Sequence, residues 1–157
     1  MRHRLLRAAL VSCLMCACAH RMIPGTSVRD TPANRDVLKI VAELREGLQR
    51  RDAKAVLALV SPEFYEDMGT PDPKDDYGYT ELKDKILPNT MALTHELYVA
   101  FDANDVFIEG NKAHADVRYF SRVRLKLPSG SQWDTHKEFN RISMVREGNA
   151  WKIISGL

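Results

Sequence analysis

Beyond Cys18 the chain has no cysteine: Cys13, Cys16 and Cys18 are its only thiols. A chain processed near these positions cannot form a disulfide within itself, so an exported domain must be held by its core alone. The same clustering excludes a redox or cysteine–metal reading. The N-terminal uncharged run, residues 8–19, is too short to span a bilayer permanently. A strong excess of either charge is also missing. Arg2, Arg4 and Arg7 supply the whole basic excess, and removing residues 1–17 takes the formal net charge from +2 to −1. Bulk charge therefore gives no argument for nucleic acid as a partner. No third ligand beside His136 and Glu138 has metal-site spacing, and Asp72, Asp75 and Asp76 lack the glycine and terminal glutamate of a calcium loop. Neither a metal nor a cofactor is expected, and there is no internal repeat or low-complexity segment.

What is present starts with a basic N-terminus followed by the short apolar run, the layout of an export signal. Within it Leu14-Met15-Cys16-Ala17-Cys18 resembles the lipobox of bacterial lipoproteins, which implies cleavage after residue 17, lipidation of Cys18 and a membrane anchor in the cell envelope, facing the periplasm. The alternative is cleavage after Ala19, at the small-residue site Ala17-Cys18-Ala19, which releases a soluble periplasmic or secreted protein. The expected organisation is a signal over residues 1–17, a flexible tether over 18–33 containing Pro24, Gly25 and Pro32, and one domain over 34–157.

Val37, Val41, Leu44 and Leu48 fall at helical spacing, predicting an amphipathic helix started near Thr31 or Asn34. Asp52 can cap a second helix over 53–60, stopped at Ser61-Pro62. Residues 68–79, rich in Pro, Gly and Asp, predict a loop; Thr80 then caps a third helix ending at Pro88. Beyond it the period becomes twofold, with strands predicted over 94–102, 105–109, 113–127, 132–146 and 150–155. Helices followed by an antiparallel meander make an α+β domain.

Taking Gly110-Asn111, Ser129-Gly130 and Gly148-Asn149 as two-residue turns fixes a register. Val106 then faces Ala115, Tyr119 faces Asn140, Val117 faces Ile142 and Met144 faces Ile153, so one side of the sheet collects the apolar residues, including Trp151, and should be covered by the helices. That side becomes polar toward one end, at Tyr119, Ser121, His136, Glu138 and Asn140, and buried polar groups without partners are costly, so this end is a pocket or lies beyond the helices. The other side carries Arg118, Arg122, Arg124, Lys126, Lys137 and Arg141 among Phe120, Trp133 and Phe139. In this register Phe120 faces Phe139, Arg118 faces Arg141 and Arg122 faces Lys137. Opposed like charges are unfavourable, which invites carboxylates from elsewhere in the chain, a second subunit or an anionic envelope component such as lipid headgroups.

The element order, with "AKAVLALVSPEF" over 53–64, "VFIEGNKAHADV" over 106–117 and the terminal "REGNAWKIISG", resembles the nuclear transport factor 2-like superfamily, which includes the SnoaL-like cyclases, ketosteroid isomerase and scytalone dehydratase. The resemblance implies a curved sheet wrapped around helices, a conical cavity, and in many members a dimer through the sheet, here through Arg118, Phe120, Phe139 and Arg141. It also implies a carboxylate base just after the second helix, where Asp67 stands. The two donors of the isomerase branch correspond to Leu44 and Ile142, so that activity is not expected. A dehydratase pair could be built from His136 and Asp67 as acid and base, with Tyr119, Ser121, Glu138 and Asn140 contacting ligand.

These readings point to a lipid-anchored envelope protein binding a small apolar ligand or a partner protein, more a binder than an enzyme. A cofactor-independent lyase or isomerase on a hydrophobic substrate is the alternative.

Overall fold

The computed structural model describes residues 21–157. The signal, Cys18 and the alternative cut after Ala19 lie outside the described residues. Thr31 caps α1 (Pro32–Gln49), its hydroxyl accepting from the Asn34 amide at 3.1 Å, and Pro32 opens the helix where its missing N–H costs nothing. Val37, Val41 and Leu44 form the buried stripe. Asp52 caps α2 (Ala53–Leu57), as its carboxylate accepts from the Ala55 amide at 2.9 Å. The two helices touch at Gly47, where a Cβ would lie 3.0 Å from the Val56 methyl.

Two short strands, β1 (Tyr65–Glu66) and β2 (Tyr77–Gly78), pair across the proline- and aspartate-rich loop. The next helix does not end at Pro88. It runs as α3 (Tyr79–Glu81), a π-helical turn (Leu82–Ile86) and α4 (Leu87–Leu93), with Gly78 rather than Thr80 at its start. Proline inside an α-helix removes a backbone donor and clashes with the preceding turn. Here the wider turn precedes it, the Leu87 amide bonding to the Leu82 carbonyl five residues back, so Pro88 sits in the first turn of α4 where its donor is not needed.

Four strands complete the fold in the sheet order β3-β4-β5-β6, all antiparallel: β3 (Thr94–Glu109), β4 (Lys112–Leu127), β5 (Gly130–Glu147) and β6 (Ala150–Ser155). The two strands expected over 94–102 and 105–109 are one, with a register shift between Ala103 and Asp105 that absorbs an extra residue. The pairings of Val106 with Ala115 and of Met144 with Ile153 are as expected. That of β4 with β5 is not. Leu127 pairs with Gly130, so Pro128-Ser129 is the turn and the register differs by two residues: Tyr119 faces Glu138 and Val117 faces Asn140. Pro128 explains this, since it cannot donate to a ladder and its fixed φ suits the first turn position. A shift of two preserves the side of the sheet on which each residue lies.

The inner face therefore assembles as expected. Ala115, Ile142, Met144 and Ile153 are fully buried, Val117 and Trp151 nearly so, against Val37, Leu44 and Val56 of the helices. The described part of the expected tether is not loose. The backbone turns at residues 23–28, Ser27 donates to the Ala103 carbonyl at 3.2 Å, and Val28, 1% exposed, enters the core. Its apolar side chain had no periodic neighbours to mark it in sequence. No helix among the described residues is long and apolar enough to cross a membrane.

Candidate functional site

Between the helices and the inner face of the sheet lies a cavity of about 290 Å³. The helices supply an apolar wall: Leu44 and Leu48 from α1, Val56 from α2, and Leu82, Ile86 and Leu87 from the π-turn and the helix it leads into. The π-turn directs which side chains of that segment enter the wall, because one added residue per turn rotates everything after it. The sheet supplies Phe101, Tyr119, Glu138 and Asn140. Phe101 and Tyr119 pack with ring centroids 5.5 Å apart. Glu138 and Thr90, both exposed, mark the rim.

Gly156 and Leu157 close one side, and three residues hold them there. The Glu66 carboxylate accepts from both amides, at 2.5 and 3.3 Å. Asn140 donates to the Gly156 carbonyl at 3.1 Å, and the Tyr77 hydroxyl donates to the Leu157 carbonyl at 2.8 Å. Burial pushes the Tyr77 hydroxyl above its ordinary pKa, and the Glu66 charge adds to the rise. Gly156 has φ +92° and lies against the Arg141 backbone, where a Cβ would fall 2.1 Å from the carbonyl oxygen; only glycine fits there.

Of the residues singled out from sequence, Tyr119, Glu138 and Asn140 line this cavity, and Ser121, His136 and Asp67 do not. Ser121, 3% exposed, pairs with Val99 on one side and His136 on the other. His136 is exposed, with Nε2 2.8 Å from the Asp134 carboxylate. Asp67 is exposed too and accepts from the Gly69 amide at 2.9 Å, a local turn. The structure does not bring this acid and base together on the cavity. Tyr77, Phe101 and Thr90 were missed. Tyr77 sat in a segment whose composition read as loop, although aromatic residues flanking a Pro- and Asp-rich loop are a usable signal for an anchored one.

On the outer face the expected like-charge clashes are absent, because the two-residue shift moves every partner. Arg141 faces Asp116 and forms a two-pronged ion pair at 2.7 and 2.8 Å; Arg118 faces Phe139 on β5 and reaches Asp102 of β3 at 3.0 Å. Arg124 bonds Glu96 at 2.7 Å, and Arg122 lies over the Trp133 ring at 4.5 Å. The hydrogen bond from Arg141 holds the Asp116 carboxyl below its ordinary value, despite some opposing desolvation. The carboxylates come from this chain's own strands. Among the described residues no group of three or more His, Cys, Asp or Glu is placed to hold a metal ion.

Solved structures share this architecture. A protein from Kribbella flavida superposes with a TM-score of 0.66 at 11% identity, over 78% of this chain and 86% of its own. An NTF2-like superfamily protein from Salmonella enterica does so at 0.63 and 14%, over 78% and 86%. The domain has the nuclear transport factor 2-like fold. A hexachlorocyclohexane dehydrochlorinase matches at 0.61 and 12%, over 79% of this chain and 82% of its own. In sequence, no family model and no curated protein matches the chain. At such identities the likeness carries the fold, and nuclear transport factor 2-like folds host unrelated chemistries, so function must be argued from the cavity.

Proposed function

We propose that the chain is an exported, lipid-anchored envelope protein whose nuclear transport factor 2-like domain binds a small apolar ligand without transforming it. The cavity carries this reading: its walls are apolar, its polar groups gather on the sheet side, and His136 and Asp67 stand outside it. Anchoring through Cys18 rests on the lipobox resemblance, and a soluble form cut after Ala19 is its alternative. A homodimer through the outer face is supported by Phe139, 80% exposed between Arg118 and Arg141. Mass spectrometry of the mature protein, extracted natively from envelopes, tests both halves. A diacylated or triacylated Cys18 with a co-purifying small molecule is expected; a chain beginning at His20 removes the anchor. Failure to enhance the fluorescence of aminoanthracene, a neutral dye of suitable size, removes the ligand reading.

A second reading, a cofactor-independent lyase or isomerase, is supported by one observation. Glu138 and Tyr119 are paired across β5 and β4, and both line the cavity. This is where a base and a donor for developing charge would be needed. The dehydrochlorinase among the structural neighbours is an eliminating enzyme by name. A product whose formation is lost in Glu138→Gln distinguishes it from simple binding.

A further inference from the structure

We propose that the rim of the cavity is a subsite for an organic cation, so that the ligand is an amine or quaternary ammonium on an apolar body. This rests on the cavity being a ligand site and adds the charge of what enters. Among the side chains lining it only Glu138 is formally charged, and it is acidic; no lysine, arginine or histidine side chain reaches the wall. Among the described residues Glu138 takes part in no ion pair or side-chain hydrogen bond, unlike the arginine-bonded carboxylates of the outer face. Its neighbours Lys137 and Phe139 point to the opposite side of the sheet, and His136, on its own side two residues away, is engaged by the Asp134 carboxylate.

Three aromatic rings stand with this carboxylate. Tyr119 faces Glu138 directly, Phe101 packs against Tyr119, and Tyr77 lines the same cavity with its hydroxyl turned away to the Leu157 carbonyl. Ring faces attract cations through their quadrupole, most strongly where water is scarce, and a carboxylate at the edge adds attraction of the same sign. An anion in the same place would meet Glu138 unscreened by any cation of the wall, with Glu66 held behind Gly156 and Leu157. Fatty acids and phosphate esters are thereby disfavoured, whatever their tails.

Competition against aminoanthracene on the full chain tests this with three probes sharing an eight-carbon body: octyltrimethylammonium, octanol and octanoate. The ammonium should displace the dye at least about threefold more tightly than the alcohol, and octanoate more weakly than either. Glu138→Gln should shrink the preference for the ammonium over octanol. Tyr119→Leu should shrink it as well, while a normal melting curve for each variant shows that the fold is intact. Octanoate equal to or tighter than the ammonium, or a preference that survives Glu138→Gln, overturns the cation subsite while leaving the cavity reading standing. If Thr90→Trp, which places a large ring at the rim, fails to reduce dye binding, the dye is elsewhere and the cavity reading fails with it.

Discussion

The two faces of one sheet treat polar groups in opposite ways. On the outer face Asp102, Asp116 and Glu96 each hold an arginine, and Arg122 rests on Trp133. On the inner face Glu138 and Tyr119 border an apolar cavity with no ion pair or side-chain hydrogen bond among the described residues. Water can satisfy an exposed charge cheaply, so the outer pairs are a matter of arrangement and small energies. A carboxylate at the mouth of an apolar cavity that no arginine holds is open to whatever enters, whereas those of the outer face are already engaged. The contrast supports the proposed recognition on the inner face, even though the outer face holds more charge and more exposed aromatic rings.

The contrast breaks most easily in the core. Ile142, fully buried on the inner face of β5, should cost about 2–5 kcal/mol on replacement by alanine, since a void opens in the core. Phe139, three residues earlier and 80% exposed on the outer face, should cost no more than about 0.5 kcal/mol in the monomer. Urea unfolding of Ile142→Ala and Phe139→Ala measures both. Comparable losses would mean that the outer face is packed against something in solution, and sedimentation would then show the dimer.

A smaller loss is expected where the cavity is closed. Gly156→Ala must relieve both a positive φ and the collision with the Arg141 carbonyl, costing about 1–3 kcal/mol. The readout specific to the site is hydrogen exchange: the Gly156 and Leu157 amides, held by Glu66, should lose protection before those of β4. Unchanged exchange would show that the contacts of Glu66, Tyr77 and Asn140 do not depend on the glycine.

Sequence carried the faces of the sheet further than its pairings. Alternation alone put Ala115, Val117, Ile142 and Ile153 together, and because the β4–β5 register erred by an even number, every side chain kept its side. What the error did change was the partner across the strand, which is why Arg118 and Arg141 looked opposed when the fold sets Asp116 against Arg141. Pro88 was assigned the wrong consequence and Pro128 none: Pro128 forms the turn that was placed one residue later, and Pro88 is tolerated because a π-turn comes first. Tyr119, Glu138 and Asn140 were legible as a polar break in an apolar face. Tyr77 and the Glu66 contact with Gly156 were not, because they join residues 80 and 90 positions apart and no local period records such a closure.

The smallest effect expected is at the Asp116–Arg141 pair, and its dependence on pH gives it a signature. The Arg141 hydrogen bond, followed by its charge, lowers the folded-state pKa of Asp116, so the unfolded chain takes up the proton first as pH falls. The stabilisation is therefore fully present above the ordinary aspartate value of 3.8 and is lost as pH drops through the lower folded value. Asp116→Asn should lower stability slightly at neutral pH and not at all once pH has fallen below the lowered folded-state value, where the wild-type carboxyl is itself neutralised. High salt should shrink the neutral-pH difference, since both side chains lie near solvent. Thermal unfolding across a pH series checks this, and a difference that persisted in acid would mean that Asp116 matters through packing, with the outer face then less separable from the core than its exposed charges imply.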